Sequence, residues 1–140
     1  MEQQLQRDAQ DLERIVAAAE AFIAGRADTE QAVHRSAELF RCVGQATHNP
    51  VLGLAQEPLL QLLEPSLRVM IDKVPQARAR IGTAHRRLVE ALEARDEEAA
   101  HGWMARHIRD FRKGYEIAGI ELEMRVTGSQ EGARPSPARD

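Results

Sequence analysis

The 140-residue chain has one cysteine, few aromatic residues and no long apolar run. The single cysteine, Cys42, excludes an internal disulfide framework and is typical of a protein from the reducing cytoplasm. No apolar stretch approaches the roughly 20 residues that a membrane-spanning helix needs. The polar start, MEQQLQRDAQ, lacks the apolar segment of a signal peptide. We therefore expect a cytoplasmic protein without a membrane partner, whose core is built mainly from aliphatic side chains.

An excess of positive charge is also lacking. The chain has 19 Lys and Arg against 22 Asp and Glu, a formal net charge of −3. Nucleic-acid-binding domains usually present a net basic surface, so we expect no direct nucleic-acid binding by this chain. With 43% apolar and 29% charged residues, the composition suits one folded domain.

Apolar residues recur at three- and four-residue steps, and no convincing alternating strand pattern interrupts them. This periodicity predicts an all-α fold, an antiparallel bundle of about five helices joined by short connections. Pro58 and Pro65 predict a kinked or segmented third helix. The segment after Thr127 has no large apolar residue, so we expect a domain over 1–126 and a disordered tail over 127–140. The predicted helices cover about 3–24, 29–46, 50–73, 75–94 and 97–126.

Two histidines in the last two predicted helices fall at matching heights. With the turn at Arg95 and Asp96, His85 lies about ten residues before it and His107 about eleven after it. At 1.5 Å per residue, both lie roughly 15–17 Å from the turn. Both also lie on the apolar stripes of their helices. The spacing therefore predicts two imidazoles that face one another inside the bundle.

Buried imidazoles need polar partners, because each unsatisfied polar group costs about 1–3 kcal/mol. A pair of neutral imidazoles suits Zn or Ni. Alternatively, His85 and His107 are core residues that bond to each other or to water. The spacing alone leaves both interpretations open.

Two separated segments carry a family resemblance. Residues 85–107, HRRLVEALEARDEEAAHGWMARH, and residues 44–52, GQATHNPVL, resemble the C-terminal effector-binding domain of GntR-type transcription regulators of the FadR/VanR type. The resemblance implies a helical bundle that binds a small effector, often a carboxylate, and forms homodimers, with no enzymatic activity. We find no counterpart in the sequence of the family's winged helix-turn-helix or of the effector domain's first helix.

Many members of that family hold a divalent metal through an Asp and a His four residues apart and two later histidines. The later ligands carry over to His85 and His107. In a gapless register, the first two positions fall on Ser36 and Phe40, which are poor metal ligands. A second register places Glu30 and His34 at these two ligand positions, but it needs about six extra residues before Asn49.

We prefer the gapless register. It predicts an effector site formed by Ser36, Phe40, His85 and His107, with a partial Zn or Ni site on the two histidines. The alternative function is a structural or interaction bundle that binds no ligand.

Overall fold

The structure, a computed structural model, describes residues 1–119. Within these residues the chain forms five helices and no strand, which confirms the predicted all-α bundle. None of the five helices is long and apolar enough to cross a bilayer. The predicted tail over 127–140 lies outside the described residues. The helices are α1 (Glu2–Gly25), α2 (Thr29–Ala46), α3 (Pro50–Lys73), α4 (Ala77–Glu93) and α5 (Glu97–Ile117).

Side-chain caps fix the starts of three helices. Asp28, Asn49 and Asp96 each have extended backbone angles, and each side chain accepts hydrogen bonds from backbone N–H groups of the first turn. Such caps satisfy donors that have no partner within the helix. These local bonds explain why the predicted starts of α2, α3 and α5 agree with the structure.

The helices form a closed bundle. Helix α1 packs on α2 and α4, α2 also packs on α3, and α4 packs on α5. Helices α3 and α5 meet where the hydroxyls of Ser66 and Tyr115 share a hydrogen bond of 3.1 Å. Gly114 permits this approach, since a Cβ added there would lie 3.0 Å from the Met70 Sδ.

The interior consists mainly of aliphatic residues, as the low aromatic content predicts. One cluster joins α1–α5 around Phe22 and Ile71. A second joins α1 and α2 around Ile15 and Leu39 and includes Cys42, the buried thiol.

A buried carboxylate ties α1 to the α2–α3 connection. Asp11 is 8% exposed, and one of its oxygens lies 2.6 Å from His48 Nε2. His48 adopts a positive φ of 54°, which turns the chain between α2 and α3. The sequence predicts a loop position for His48 but not this contact.

Helix α3 is continuous through Pro58 and Pro65, so it is not divided into segments, and a kink at the prolines stays a prediction. Each proline removes one intrahelical hydrogen bond. Both residues are exposed, and the buried side of α3, which includes Leu67 and Ile71, packs without interruption.

The predicted continuation of α5 to Val126 is also wrong, because α5 ends at Ile117. Gly119 has a φ of 71°, and its N–H donates to the Glu116 carbonyl. A glycine with left-handed angles just past the last turn is a common helix end.

Three large apolar residues of α1 and α5 lie at the surface. Leu5, Ile108 and Ile117 are 50%, 57% and 63% exposed. The first ten residues of the chain are exposed, and no helix covers Leu5. Ile108 directly follows the buried His107, and successive helix residues turn by about 100°.

Candidate functional site

The structure brings His85 of α4 and His107 of α5 together inside the bundle. Their ring centroids lie 5.2 Å apart with an interplanar angle of 79°. His85 is fully buried and His107 is 3% exposed. This is the height and face that helical rise and periodicity predict for an antiparallel pair.

Phenyl rings surround the two imidazoles. Phe22 of α1 meets the His85 ring edge-on at 4.9 Å. Phe40 of α2 stacks on His107 at 5.7 Å, and Phe111 lies 4.5 Å from the same imidazole. Residues from four helices therefore contribute to one apolar environment.

This environment contains polar atoms without partners. The Oγ of Ser36, both ring nitrogens of His85 and the Nε2 of His107 are buried and make no hydrogen bond within residues 1–119. Buried polar groups in folded proteins nearly always have partners, and each one left without a partner costs about 1–3 kcal/mol. The site therefore holds hydrogen-bonding capacity that no described protein group uses.

Both imidazoles are neutral at pH 7. Burial, together with the neighbouring His107, lowers the pKa of His85 to about 3. Burial lowers the pKa of His107 to about 4, against an opposing effect of Asp110. A neutral imidazole can donate one hydrogen bond and accept another, but it gives no positive charge to a bound anion.

The residues present do not form a complete metal site. No group of three or more His, Cys, Asp or Glu within residues 1–119 is placed to hold a metal ion. Ser36 is buried, and Phe40 supplies only a phenyl ring. The second register gives no better set, because His34 is exposed and Glu30 bonds to Arg68.

A cleft opens beside His107. Its volume is about 280 Å³, and it lies between the ends of α3 and α5 and the start of α4. Its apolar wall is next to charged residues at the rim. The sequence did not predict this cleft. It is lined by Met70, Val74, Gln76, Ala77, Arg80, Ile81, His107, Asp110, Phe111, Lys113, Gly114 and Ile117.

Comparison with known proteins gives one family match. A family model described as the FCD domain matches residues 3–110. No curated protein and no solved structure matches the chain.

Proposed function

The chain belongs to the FCD domain family, the C-terminal effector-binding domains of GntR-family regulators, and we propose that it is a non-enzymatic module that binds a small organic acid and forms a homodimer. The effector contacts Ser36, Phe40, His85 and His107. The module acts in the cytoplasm and makes no direct contact with nucleic acid. Sequence-specific retardation of DNA by the purified chain would contradict the last statement.

The observation that carries this proposal is the set of unpartnered polar atoms on Ser36, His85 and His107. They lie on three helices, and one of the three residues, His107, lines the cleft. A ligand that enters from the cleft gains hydrogen bonds that the folded protein leaves unmade. Ligand sites are commonly apolar clefts with a few placed polar groups.

Effector binding at this position affects the arrangement of the bundle. Ser36 and Phe40 lie on α2, His85 on α4 and His107 on α5. A ligand that contacts all three helices favours the packing in which its contacts are best, and it shifts the population toward that packing. In a regulator, such a shift changes the spacing of attached or partner DNA-binding domains.

Helix α3 supports the dimerisation part of the proposal. Four of its apolar residues are strongly exposed: Val51 (73%), Leu54 (78%), Leu59 (65%) and Leu62 (74%). From Pro50 to Leu62 the only charged residue is Glu57, whose carboxylate pairs with Arg41 of α2. A largely uncharged apolar helix face is typical of an association surface, and we assign it to a second copy of the chain.

The proposal includes a metal site for which the chain supplies only some of the ligands. His85 and His107 supply two of the ligands that Zn²⁺ or Ni²⁺ takes, and the remaining ligands would come from the effector or from water. The functional test therefore includes both ions.

A thermal-shift screen tests the effector function. The purified chain is heated with small carboxylates, alone and with Zn²⁺ or Ni²⁺. A ligand at 100 times its dissociation constant adds about 2.7 kcal/mol to the free energy of unfolding. We expect a response in the wild type and in the surface variant His34→Gln, and none in His85→Met/His107→Met.

The second candidate is a structural bundle without a ligand. The packing of three phenyl rings around the histidines favours it, since aromatic contacts stabilise a core without any effector. Absence of a response to every acid, with and without metal, supports this alternative and contradicts the effector function.

A further inference from the structure

We propose that the cleft between α3, α4 and α5 takes a small amphiphilic monoanion, with its charged group at the rim beside Lys113 and its uncharged end against His107. This inference rests on the proposed effector function. It adds the chemical class of the ligand and states which end of the ligand faces the rim of the cleft.

The wall of the cleft is apolar over most of its length. Ile81 and Met70 are buried there, and Phe111 and Ile117 lie on α5. His107 and Ile117 are ten residues apart on α5, which corresponds to a rise of about 15 Å. The cleft has a volume of about 280 Å³. These dimensions suit an elongated apolar body with few polar atoms.

The inner end of the cleft offers no positive charge. His107 is neutral, and the next polar side chain inward, His85, is neutral as well. Phenyl rings occupy the surrounding positions. A carboxylate placed there would lose its hydration without a cation to replace it. The charged group of an organic acid therefore lies at the opposite end.

Among residues 1–119, the rim supplies one cation that has no carboxylate partner. Arg80 contacts both carboxylate oxygens of Asp110 at 3.0 Å, so these two charges offset each other. For Lys113, by contrast, no carboxylate of residues 1–119 lies within 4.0 Å of its ammonium. Lys113 is exposed and lines the cleft. A ligand carboxylate at this rim gains a charge-assisted hydrogen bond.

The test compares acids of one series by isothermal titration calorimetry at pH 7.5 without metal. The probes are butanoate, hexanoate and octanoate, with octanamide as the uncharged counterpart of octanoate. Burial of each added methylene gives about fourfold tighter binding. We therefore expect octanoate to bind roughly 15-fold more tightly than hexanoate.

Two surface variants locate the ends of the ligand. Lys113→Gln is expected to weaken octanoate binding about tenfold and to leave octanamide binding unchanged. Arg112→Gln is the matched control, because Arg112 is the exposed neighbour of Lys113 on α5 and does not line the cleft; it is expected to change neither. Ile117→Ser is expected to weaken both ligands about threefold through lost apolar contact.

Three results overturn this inference while leaving the effector function in place. The first is equal octanoate binding by Lys113→Gln and Arg112→Gln, and the second is binding of acids that does not strengthen with chain length. The third is acid binding that requires Zn²⁺ or Ni²⁺, because it places the carboxylate at the histidines. Absence of binding by any acid, with or without metal, overturns the effector function together with the inference.

Discussion

The imidazole of His107 and the phenyl ring of Phe40 lie nearly parallel, 15° apart in plane and 5.7 Å apart in centroid position. In the gapless register, Phe40 takes the position at which many relatives have a metal-binding histidine. A phenyl ring supplies no metal ligand. In this register, His85 and His107 are the two ligands that remain.

Restoring the two missing ligands should create metal affinity. In the double variant Ser36→Asp/Phe40→His, a carboxylate and an imidazole join His85 and His107, which gives the four ligands that Zn²⁺ favours. We expect Zn²⁺ binding at one ion per chain, on the order of 100-fold tighter than in the wild type. Competition with a chromogenic chelator measures it.

The control for this variant distinguishes the two registers. Glu30→Gln/His34→Gln, placed in the same background, should leave Zn²⁺ affinity unchanged because His34 is exposed and Glu30 pairs with Arg68. A loss of affinity in the control would show that the second register is the correct one.

Acid should destabilise the fold through the two buried histidines. The unfolded chain takes up protons on them near pH 6.5, whereas the folded chain does so only near pH 4 and pH 3. Between these values the unfolded state binds more protons, so the free energy of unfolding falls as the pH is lowered from 6.5 towards 4. Each histidine contributes up to about 1.4 kcal/mol per pH unit.

Urea unfolding of the wild type and of His85→Met/His107→Met measures this effect at several pH values. Near pH 5, the free energy of unfolding of the double variant should change less steeply with pH than that of the wild type, by up to about 2.7 kcal/mol per pH unit. At pH 7 it should be as stable as the wild type within about 1 kcal/mol, because it removes buried polar atoms that have no partner. Equal pH dependence in the two proteins would falsify the burial of neutral imidazoles.

The core contact between Phe22 and His85 should be important for stability. Phe22 is fully buried, and its replacement by Ala removes a ring from the centre of the bundle. We expect Phe22→Ala to cost about 3–5 kcal/mol. Ile108→Ala, a loss of apolar atoms at a 57% exposed position outside the proposed dimer face, should stay within about 0.5 kcal/mol. Chemical denaturation of both variants at one protein concentration provides the comparison.

The turn between α4 and α5 contains strain that glycine relieves. Arg95 adopts a φ of 55°, a left-handed conformation that costs a residue with a side chain about 1–2 kcal/mol. Arg95→Gly should raise the free energy of unfolding by up to about 1 kcal/mol, and the β-branched Arg95→Val should lower it. If Arg95→Val is as stable as Arg95→Gly, or more stable, this turn geometry is wrong. Thermal unfolding in the absence of ligand ranks them.

Charge on the apolar face of α3 should prevent dimerisation. Leu59→Glu/Leu62→Glu places two carboxylates on this face, and desolvating them in an interface is costly. We expect a monomer by analytical ultracentrifugation at a concentration where the wild type is a dimer. Ile108→Glu, at a 57% exposed position on α5, is the control and should keep the dimer. If Ile108→Glu dissociates the dimer and Leu59→Glu/Leu62→Glu does not, the interface lies on α5 instead.

The features that the sequence predicts correctly depend on local chemistry and regular geometry. Asp28, Asn49 and Asp96 cap helices through bonds that span three residues or fewer, so their sequence positions are sufficient. The meeting of His85 and His107 follows from a constant rise per residue on either side of a short turn. No knowledge of the other three helices is needed for that prediction.

The cleft depends on distant packing and could not be predicted in this way. Its shape arises where α3, α4 and α5 converge, and the pairing of Arg80 with Asp110 joins residues 30 positions apart. Ile117, an apolar residue of the last predicted helix, is 63% exposed and lines this cleft. Gly119 is a local signal for the end of α5. The prediction followed the apolar pattern beyond Gly119 instead and extended the helix to Val126.

Gly114 has a consequence beyond the close approach of two helices. It lies two turns from His107 on the same helix, about 10.5 Å along the axis, and it faces the Met70 side chain of α3. A Cβ at this position would lie 3.0 Å from the Met70 sulfur, so the Met70 side chain would have to shift by a few tenths of an ångström. Because Gly114 and Met70 both line the cleft, an added methyl group here would narrow the space that we propose for the ligand.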